Sequence, residues 1–456
     1  MSSDKIKDGG TTVNKVWKTS IVKWLILPMF LVSFVFGFSL NANAEDNLNL
    51  NVDAAILIDA DSGKILYEKN ADTPLGIASM TKMMTEYLLF EAVEEGKISW
   101  DQQYSVNEYT YKISQDRRLS NVPLREDGSY SIRELYEAMA IYSANGATIA
   151  IAETIAGTED NFVKLMNEKA AEMGLEGANF VNSTGLNNAD LQGMHPKSTG
   201  ASDENVMPAS SVARLAYLLL KDYPEVLETT KIPKKTFREG TSDAIEMSNW
   251  NWMLPGLVFQ YEGVDGLKTG TTDFAGHSFT GTATRDGKRV IAVVMKAVDA
   301  KGQGSYKARF DATRALFDYG FAQFTKVELF PEGYQIPGSE TLEVLKGKEK
   351  EVAIATKEPI SMMIKPSEKE LYKAVFVPTN ETIEAPIEKG TVVGKVKIEK
   401  AEGTDYGFIM DNGTEVDVVT TESVEKASWI SLMFQGIGKF FSGLWSSTTD
   451  FVSGLF

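Results

Sequence analysis

Ser79-Met80-Thr81-Lys82-Met83-Met84-Thr85-Glu86-Tyr87-Leu88 reads as the opening of a helix that runs on to Glu94. Met80, Met83, Met84, Tyr87 and Leu88 recur at helical spacing, and Pro74 and Gly76 place a loop shortly before them. Positions i and i+3 share a helical face, so the Lys82 ammonium can reach the Ser79 hydroxyl. A free serine is a poor nucleophile and needs a base beside it. A lysine can be that base where burial or a neighbouring positive charge lowers its pKa. The four-residue pattern is weak by itself, because it recurs at Ser2, Ser20 and Ser423. Two of those copies lie in the N-terminal segment and one precedes the C-terminal helix. Only Ser79 opens a helix inside the folded body.

Two further pieces lie downstream. Ser143-Ala144-Asn145 follows a helix over Ile132 to Ile141 and sits at a loop. Its hydroxyl can relay a proton and its amide can hold a substrate carbonyl; a turn or helix cap would use the same residues. Ser105-Val106-Asn107 matches the pattern equally well. Lys268-Thr269-Gly270 occurs once, after Asp265-Gly266-Leu267 on an expected strand. A Lys and a Thr hydroxyl there can bind a carboxylate, and Gly lets a substrate backbone approach closely. An ordinary strand end is the plain alternative. The order of the three pieces, on helix, loop and strand, is the combination found in class A β-lactamases and penicillin-binding proteins.

The rest of the chain sets the frame. Residues 52–68 read as a β-hairpin turning at Asp61-Ser62-Gly63-Lys64, and residues 100–250 as mostly helical, with Ser210 to Leu220 a clear helix. Gly266 to Gly270, Phe279 to Thr284 and Arg289 to Ala297 read as strands, the last two joined by a tight turn at Arg285-Asp286-Gly287-Lys288. Arg309 to Phe321 closes the unit as a helix. A sheet drawn from both ends of a segment, with helices inserted between, is an α/β arrangement. Residues 331–420 carry short Val/Ile/Thr runs without helical periodicity and read as a small all-β domain.

Composition narrows the chemistry. There is no cysteine and there are only two histidines, His195 and His277, so a thiolate site and a histidine-rich zinc site both lack ligands. Both histidines read as structural or peripheral, His277 being the nearer to the Lys-Thr-Gly piece. A net charge of −17 argues against nucleic-acid binding through a general basic surface. At the N-terminus, Lys5, Lys7, Lys15, Lys18 and Lys23 precede an apolar run from Trp24 to Leu40 and a small-x-small site at Ala42-Asn43-Ala44. That is a secretory signal with the mature chain starting near Glu45. At the other end, Ile430, Met433, Phe434, Ile437, Phe440, Phe441, Leu444 and Trp445 line one helical face, which reads as a membrane-surface anchor too interrupted to span.

The sequence resembles the D-alanyl-D-alanine carboxypeptidases, the low-molecular-mass penicillin-binding proteins. Beyond the three pieces, Asp59-Ala60-Asp61-Ser62-Gly63-Lys64 with Leu66-Tyr67-Glu68 resembles the family's opening hairpin. Asn179-Phe180-Val181-Asn182 with Gly185-Leu186-Asn187, and Gly263 to Gly270, resemble further family stretches. Gly146 departs from the family, which more often has Asp there; because it follows the motif, little effect on chemistry is expected.

The resemblance implies a β-lactamase/transpeptidase-like α/β catalytic domain: an antiparallel sheet with helices on both faces and a helical subdomain. It implies a signal peptide over 1–44, a catalytic domain over 45–328, a β-rich domain over 329–421 and an amphipathic anchoring helix over 422–456. Ser79 is then the acylated nucleophile, Lys82 its base and Ser143 a proton relay. Asn145, Lys268, Thr269, Gly270 and Thr271 bind substrate, with the Ser79 and Thr271 amides as oxyanion hole. No cofactor or metal is implied. The expected partners are peptidoglycan stem peptides, β-lactams as inhibitors and the outer face of the cytoplasmic membrane. A β-lactamase, a non-catalytic β-lactam receptor and a cross-link endopeptidase are the rival readings. Glu176-Gly177-Ala178-Asn179 only partly echoes the deacylating glutamate motif of class A β-lactamases.

Overall fold

The computed structural model describes residues 48–410 and 416–430. The expected signal segment and the part of the expected amphipathic helix beyond Ile430 lie outside the described residues; residues 422–427, read as the start of that helix, instead run along the C-terminal β-rich region, where Val424 bridges Ile387 and Lys426 bridges Gly347. Among the described residues no helix is long and apolar enough to cross a membrane.

The larger body is built on a five-stranded antiparallel sheet. Its strands are β1 (Ala54–Asp59), β2 (Ile65–Lys69), β3 (Val264–Thr272), β4 (Gly276–Arg285) and β5 (Lys288–Met295). They lie in the order β2-β1-β5-β4-β3, so the sheet does come from both ends of the segment and β3 forms one edge. Side chains alternate across a strand, and here both faces are apolar. Ala54, Ile56 and Ile58 of β1 join Ile291, Val293 and Met295 of β5 in one core. Ala55 and Leu57 join Val290, Ala292 and Val294 in the other. The first core is covered by α1 (Lys82–Glu94), α2 (Ile132–Tyr142), α3 (Asn145–Ala156) and α4 (Ala209–Asp222). The second is covered by α5 (Tyr306–Gln323), through Ala308, Phe310, Leu316 and Phe317. Asp286 and Gly287 both have positive φ, 50° and 72°, as the two-residue turn between β4 and β5 requires.

Two local readings change. The expected helix from Ser79 begins with a 3₁₀ turn, Ala78–Thr81, closed by the Met80 amide on the Ile77 carbonyl at 3.1 Å; α1 proper starts at Lys82. Within 100–250, Lys234–Phe237 and Ile245–Ser248 form a hairpin instead of helix or loop, because Phe237 and Met247 are needed as buried cover for the helical core.

After Phe324 the chain enters an all-β module. Thr325–Phe330 pairs with Ile360–Ile364, and a six-stranded sheet packs around Val352, Met362, Val396 and Val418. The opening hairpin's turn grips this module. Asp59 accepts the Met363 amide at 3.1 Å, Lys64 pairs with Asp405 and donates to the Gly407 carbonyl, and Lys326 pairs with Asp61.

Leu57 is fully buried between sheet and α5. Leu57→Ala should therefore lower unfolding free energy by about 2–5 kcal/mol, read from the urea midpoint.

Candidate active site

The turn that carries Ser79, expected from the sequence to be the nucleophile turn, is a strained one. Ala78 has φ 45°, a conformation that non-glycine residues adopt at a cost and that clusters at functional sites. Ala78, Met80 and Thr81 are buried while Ser79 is partly open to solvent, so the turn offers its hydroxyl outward. Lys82, the first residue of α1, has no exposed surface. Its Nζ lies 3.1 Å from Ser79 Oγ, 2.8 Å from Asn145 Oδ1 and 2.8 Å from the Thr184 carbonyl oxygen.

Each of those partners is fixed from behind. Ser143 occupies the corner between α2 and α3 with φ 61°, and Asn145 begins α3. Asn145 donates both its amide side chain and its backbone N–H to the Ser120 carbonyl at 3.0 Å, which turns Oδ1 toward Lys82. Thr184 belongs to a loop folded around Asn182, whose Oδ1 accepts from the Thr184 and Gly185 amides at 3.0 and 2.7 Å. Gly185 has φ 81°, and a Cβ there would fall 1.8 Å from the Ala78 carbonyl oxygen. This is the physical content of the Asn179–Asn187 stretch: it clasps the nucleophile turn. Gly146 has its own constraint, since a Cβ there would come within 2.8 Å of Ser114 Cβ.

The rival matches resolve as structural. Ser105 ends a short strand and Asn107 caps the helix Glu108–Ser114, accepting the Thr110 amide at 3.0 Å. Ser423 accepts the Lys389 amide in the β module.

Opposite the turn runs β3, carrying Lys268, Thr269, Gly270 and Thr271. A Cβ on Gly270 would lie 2.5 Å from the Ile77 carbonyl oxygen, so only glycine lets this edge strand touch the nucleophile turn. Lys268 is buried beside it. Arg309 reaches the same strand from α5: buried to 1% exposure, it donates to Thr271 Oγ1 at 2.9 Å and lies 3.3 Å from the Gly270 carbonyl oxygen. Arg309 and Thr184 were not legible in the motifs. The only sequence signal for Arg309 is a lone charge on the buried, otherwise uncharged face of its helix. His277 pairs with Thr271 across the β3–β4 ladder and lies edge-on to Tyr306 at 4.9 Å, whereas His195 sits in a separate loop.

The electrostatics are those of cations in a dry site. Among the described residues no carboxylate lies within ion-pair distance of Lys82. Burial holds its amine well below the usual lysine range, and the Lys268 charge pushes the same way. Burial also brings Lys268 down to about 8 and Arg309 down to about 10. Gly270→Ala must separate β3 from the nucleophile turn. It should cut the penicillin acylation rate about 100-fold while the far-ultraviolet circular dichroism stays unchanged.

Comparison with known proteins agrees with this geometry. Residues 41–299 match the D-alanyl-D-alanine carboxypeptidase family, and residues 324–426 match the C-terminal domain of penicillin-binding protein 5. The D-alanyl-D-alanine carboxypeptidase DacF of Bacillus subtilis is 31% identical over 92% of this chain and 98% of its own. Among solved structures, a peptidoglycan synthesis regulatory factor (PBP3) from Streptococcus pneumoniae is similar, with 36% identity and a TM-score of 0.70 over 82% of this chain and all of that one. So is penicillin-binding protein 5 from Haemophilus influenzae, with 27% identity and a TM-score of 0.65 over 83% of this chain and 98% of that one. With the catalytic body and the β module both matched in order, the chain belongs to the D-alanyl-D-alanine carboxypeptidase family, the serine hydrolases of the penicillin-binding class.

Proposed function

We propose that this D-alanyl-D-alanine carboxypeptidase works through an acyl-enzyme on Ser79, with neutral Lys82 as the base. The observation that carries the reading is the set of partners around Lys82 Nζ. Asn145 Oδ1 and the Thr184 carbonyl can only accept, so they take the two N–H bonds of a neutral amine and leave its lone pair toward Ser79 Oγ. As Oγ attacks the carbonyl between the two D-alanines, its proton passes to Nζ. The Ser79 and Thr271 amides receive the developing oxyanion. Ser143 relays the proton to the leaving D-alanine amine. The terminal carboxylate lies against Lys268, Thr269 and the Arg309–Thr271 pair. Water then hydrolyses the acyl-enzyme, and β-lactams, which present a similar carbonyl and carboxylate, acylate the same oxygen.

The β-lactamase reading finds less support. Glu176 is exposed on the surface, and its carbonyl accepts the Ser211 hydroxyl at 2.7 Å. Incubation with labelled penicillin followed by peptide mass spectrometry should place the adduct on Ser79; an adduct on another residue overturns the assignment. Rapid penicillin turnover in stopped flow would favour the β-lactamase instead. Lys82→Ala should slow acylation by about 10²–10⁴-fold, the usual contribution of a positioned base.

Export and peripheral attachment to the outer face of the cytoplasmic membrane complete the proposal. The signal-like N-terminus and the amphipathic pattern after Trp429 support it, and Trp429 and Ile430 are exposed where the described residues end. Deleting residues 431–456 should abolish co-flotation with anionic liposomes and leave D-alanine release from a soluble stem-peptide mimic intact. Flotation undiminished by the deletion contradicts the anchor.

A further inference from the structure

Ser143 is aimed by its backbone. It caps α2 with φ 61° and is buried, and among the described residues its hydroxyl has no hydrogen bond. The direction of that hydroxyl is therefore set by the peptide planes on either side of it. The following plane is held by the Ala144 amide, which donates to the Ala138 carbonyl at 3.0 Å. The preceding plane carries the Tyr142 carbonyl, at the end of α2, where helical carbonyls lack helical partners. The Gly146 amide, four residues on, donates to Asn121 Oδ1 at 2.9 Å instead. The Tyr142 carbonyl accepts from the indole Nε1–H of Trp250 at 3.1 Å.

Trp250 lies between the Lys234–Ser248 hairpin and β3, in a segment that is clamped on both sides. Asn249 is buried and donates to the Thr230 and Ile232 carbonyls, both at 3.0 Å. Asn251 is buried and donates to the Gly266 carbonyl at 3.2 Å, two residues before Lys268 on β3. The Trp250 ring also stacks on Tyr306 of α5, with centroids 6.2 Å apart and planes at 26°. Tyr306 in turn faces the Arg309 guanidinium at 5.0 Å.

We propose that Trp250 is a positioning residue for the reaction: a brace that ties the Ser143 corner to β3 and α5, and so aims the Ser143 hydroxyl at the leaving group. Trp250 acts through the Tyr142 carbonyl and touches no reacting atom. The step it serves is the expulsion of the amine. The bond from Ser79 Oγ to the carbonyl carbon has formed, and the C–N bond breaks. The nitrogen takes a proton from Ser143 Oγ, which regains one from Lys82 Nζ. An amine does not leave as an anion, so this step needs its donor in place. Without the indole N–H, the carbonyl next to a left-handed residue loses its partner, and the corner that holds Ser143 is free to relax. A thiolate, by contrast, leaves with its electron pair and needs no proton. The same acyl group on a thioester therefore bypasses Ser143, whereas a site loosened as a whole would lose both substrates alike.

The measurement is kcat/KM on a stem-peptide mimic ending in D-Ala-D-Ala and on its thioester counterpart, in which sulfur replaces the leaving nitrogen. Trp250→Phe keeps a ring and removes the donor. It should lower kcat/KM about tenfold on the peptide and less than about twofold on the thioester, a share of the roughly 10²–10⁴-fold that a positioned proton donor supplies. Ser143→Ala should show the same selectivity with a larger loss on the peptide. Adding Trp250→Phe to Ser143→Ala should cost nothing further, because the two act through one group. Equal losses on both substrates, an unchanged rate on the peptide, or a fully additive loss in the double variant overturns the proposal. Should Trp250→Phe fail to fold, Trp250→Met, equally without a donor, is read against the same outcomes. This role rests on Ser143 as the relay of the proposed function. Ser143→Ala without selectivity removes the relay and the brace together, whereas a selective Ser143→Ala beside an unselective Trp250→Phe removes only the role of Trp250.

Discussion

Keeping a lysine amine dry next to a serine hydroxyl is the constraint on which this site depends. In water the Lys82 amine would be protonated at neutral pH and useless as a base. Burial works against that charge, but a buried amine must still have its hydrogen bonds met. The structure meets them with an amide oxygen from the start of α3 and a carbonyl from the 182–185 loop. Those two elements must therefore converge on the first residue of α1, and the helical region folds so that they do. The sheet supplies the other wall, with β3 close enough to the nucleophile turn that a single methyl group would separate them.

Two of the strained backbone positions lie where this convergence happens. Ala78 and Ser143 both hold left-handed backbone, Ala78 directly before Ser79 and Ser143 two residues before Asn145. Such conformations persist only when the surroundings over-determine them. For Ala78 the surroundings are Gly185 on one side and Gly270 on the other, two positions at which any side chain would collide. The two glycines and the strained alanine form one steric unit, although they are far apart in sequence.

This explains what could and could not be read in advance. The sheet was legible because β1 and β5 carry continuous apolar runs bounded by turn residues, and the Asp286-Gly287 turn ties β4 to β5. The three motif pieces were legible because serine, lysine and asparagine announce their chemistry by type. Thr184 and Ser120 were not, because each acts through a main-chain carbonyl that any residue possesses. Arg309 and Glu86 were hidden for another reason. Arg309 is the one charge among the buried residues of α5, Glu86 lies a turn beyond Lys82 on the buried side of α1, and only packing reveals whether such a charge points inward or out. The hairpin at Lys234–Ser248 was missed because its alternation is short and its burial depends on α2.

The grip of the opening hairpin on the β module also has a mechanical meaning. The turn that carries Asp59, Asp61 and Lys64 is continuous with β1 and β2, on which the catalytic sheet is registered, and it is fastened to residues from two separated parts of the β module. A linker alone would let the two bodies swivel; three polar fastenings on one turn resist bending in more than one direction. Any surface that captured the chain beyond Ile430 would thus set both the height and the tilt of the Ser79 mouth. Which layer of a cross-linked mesh the enzyme could reach would then be a matter of fixed length and angle more than of diffusion on a tether.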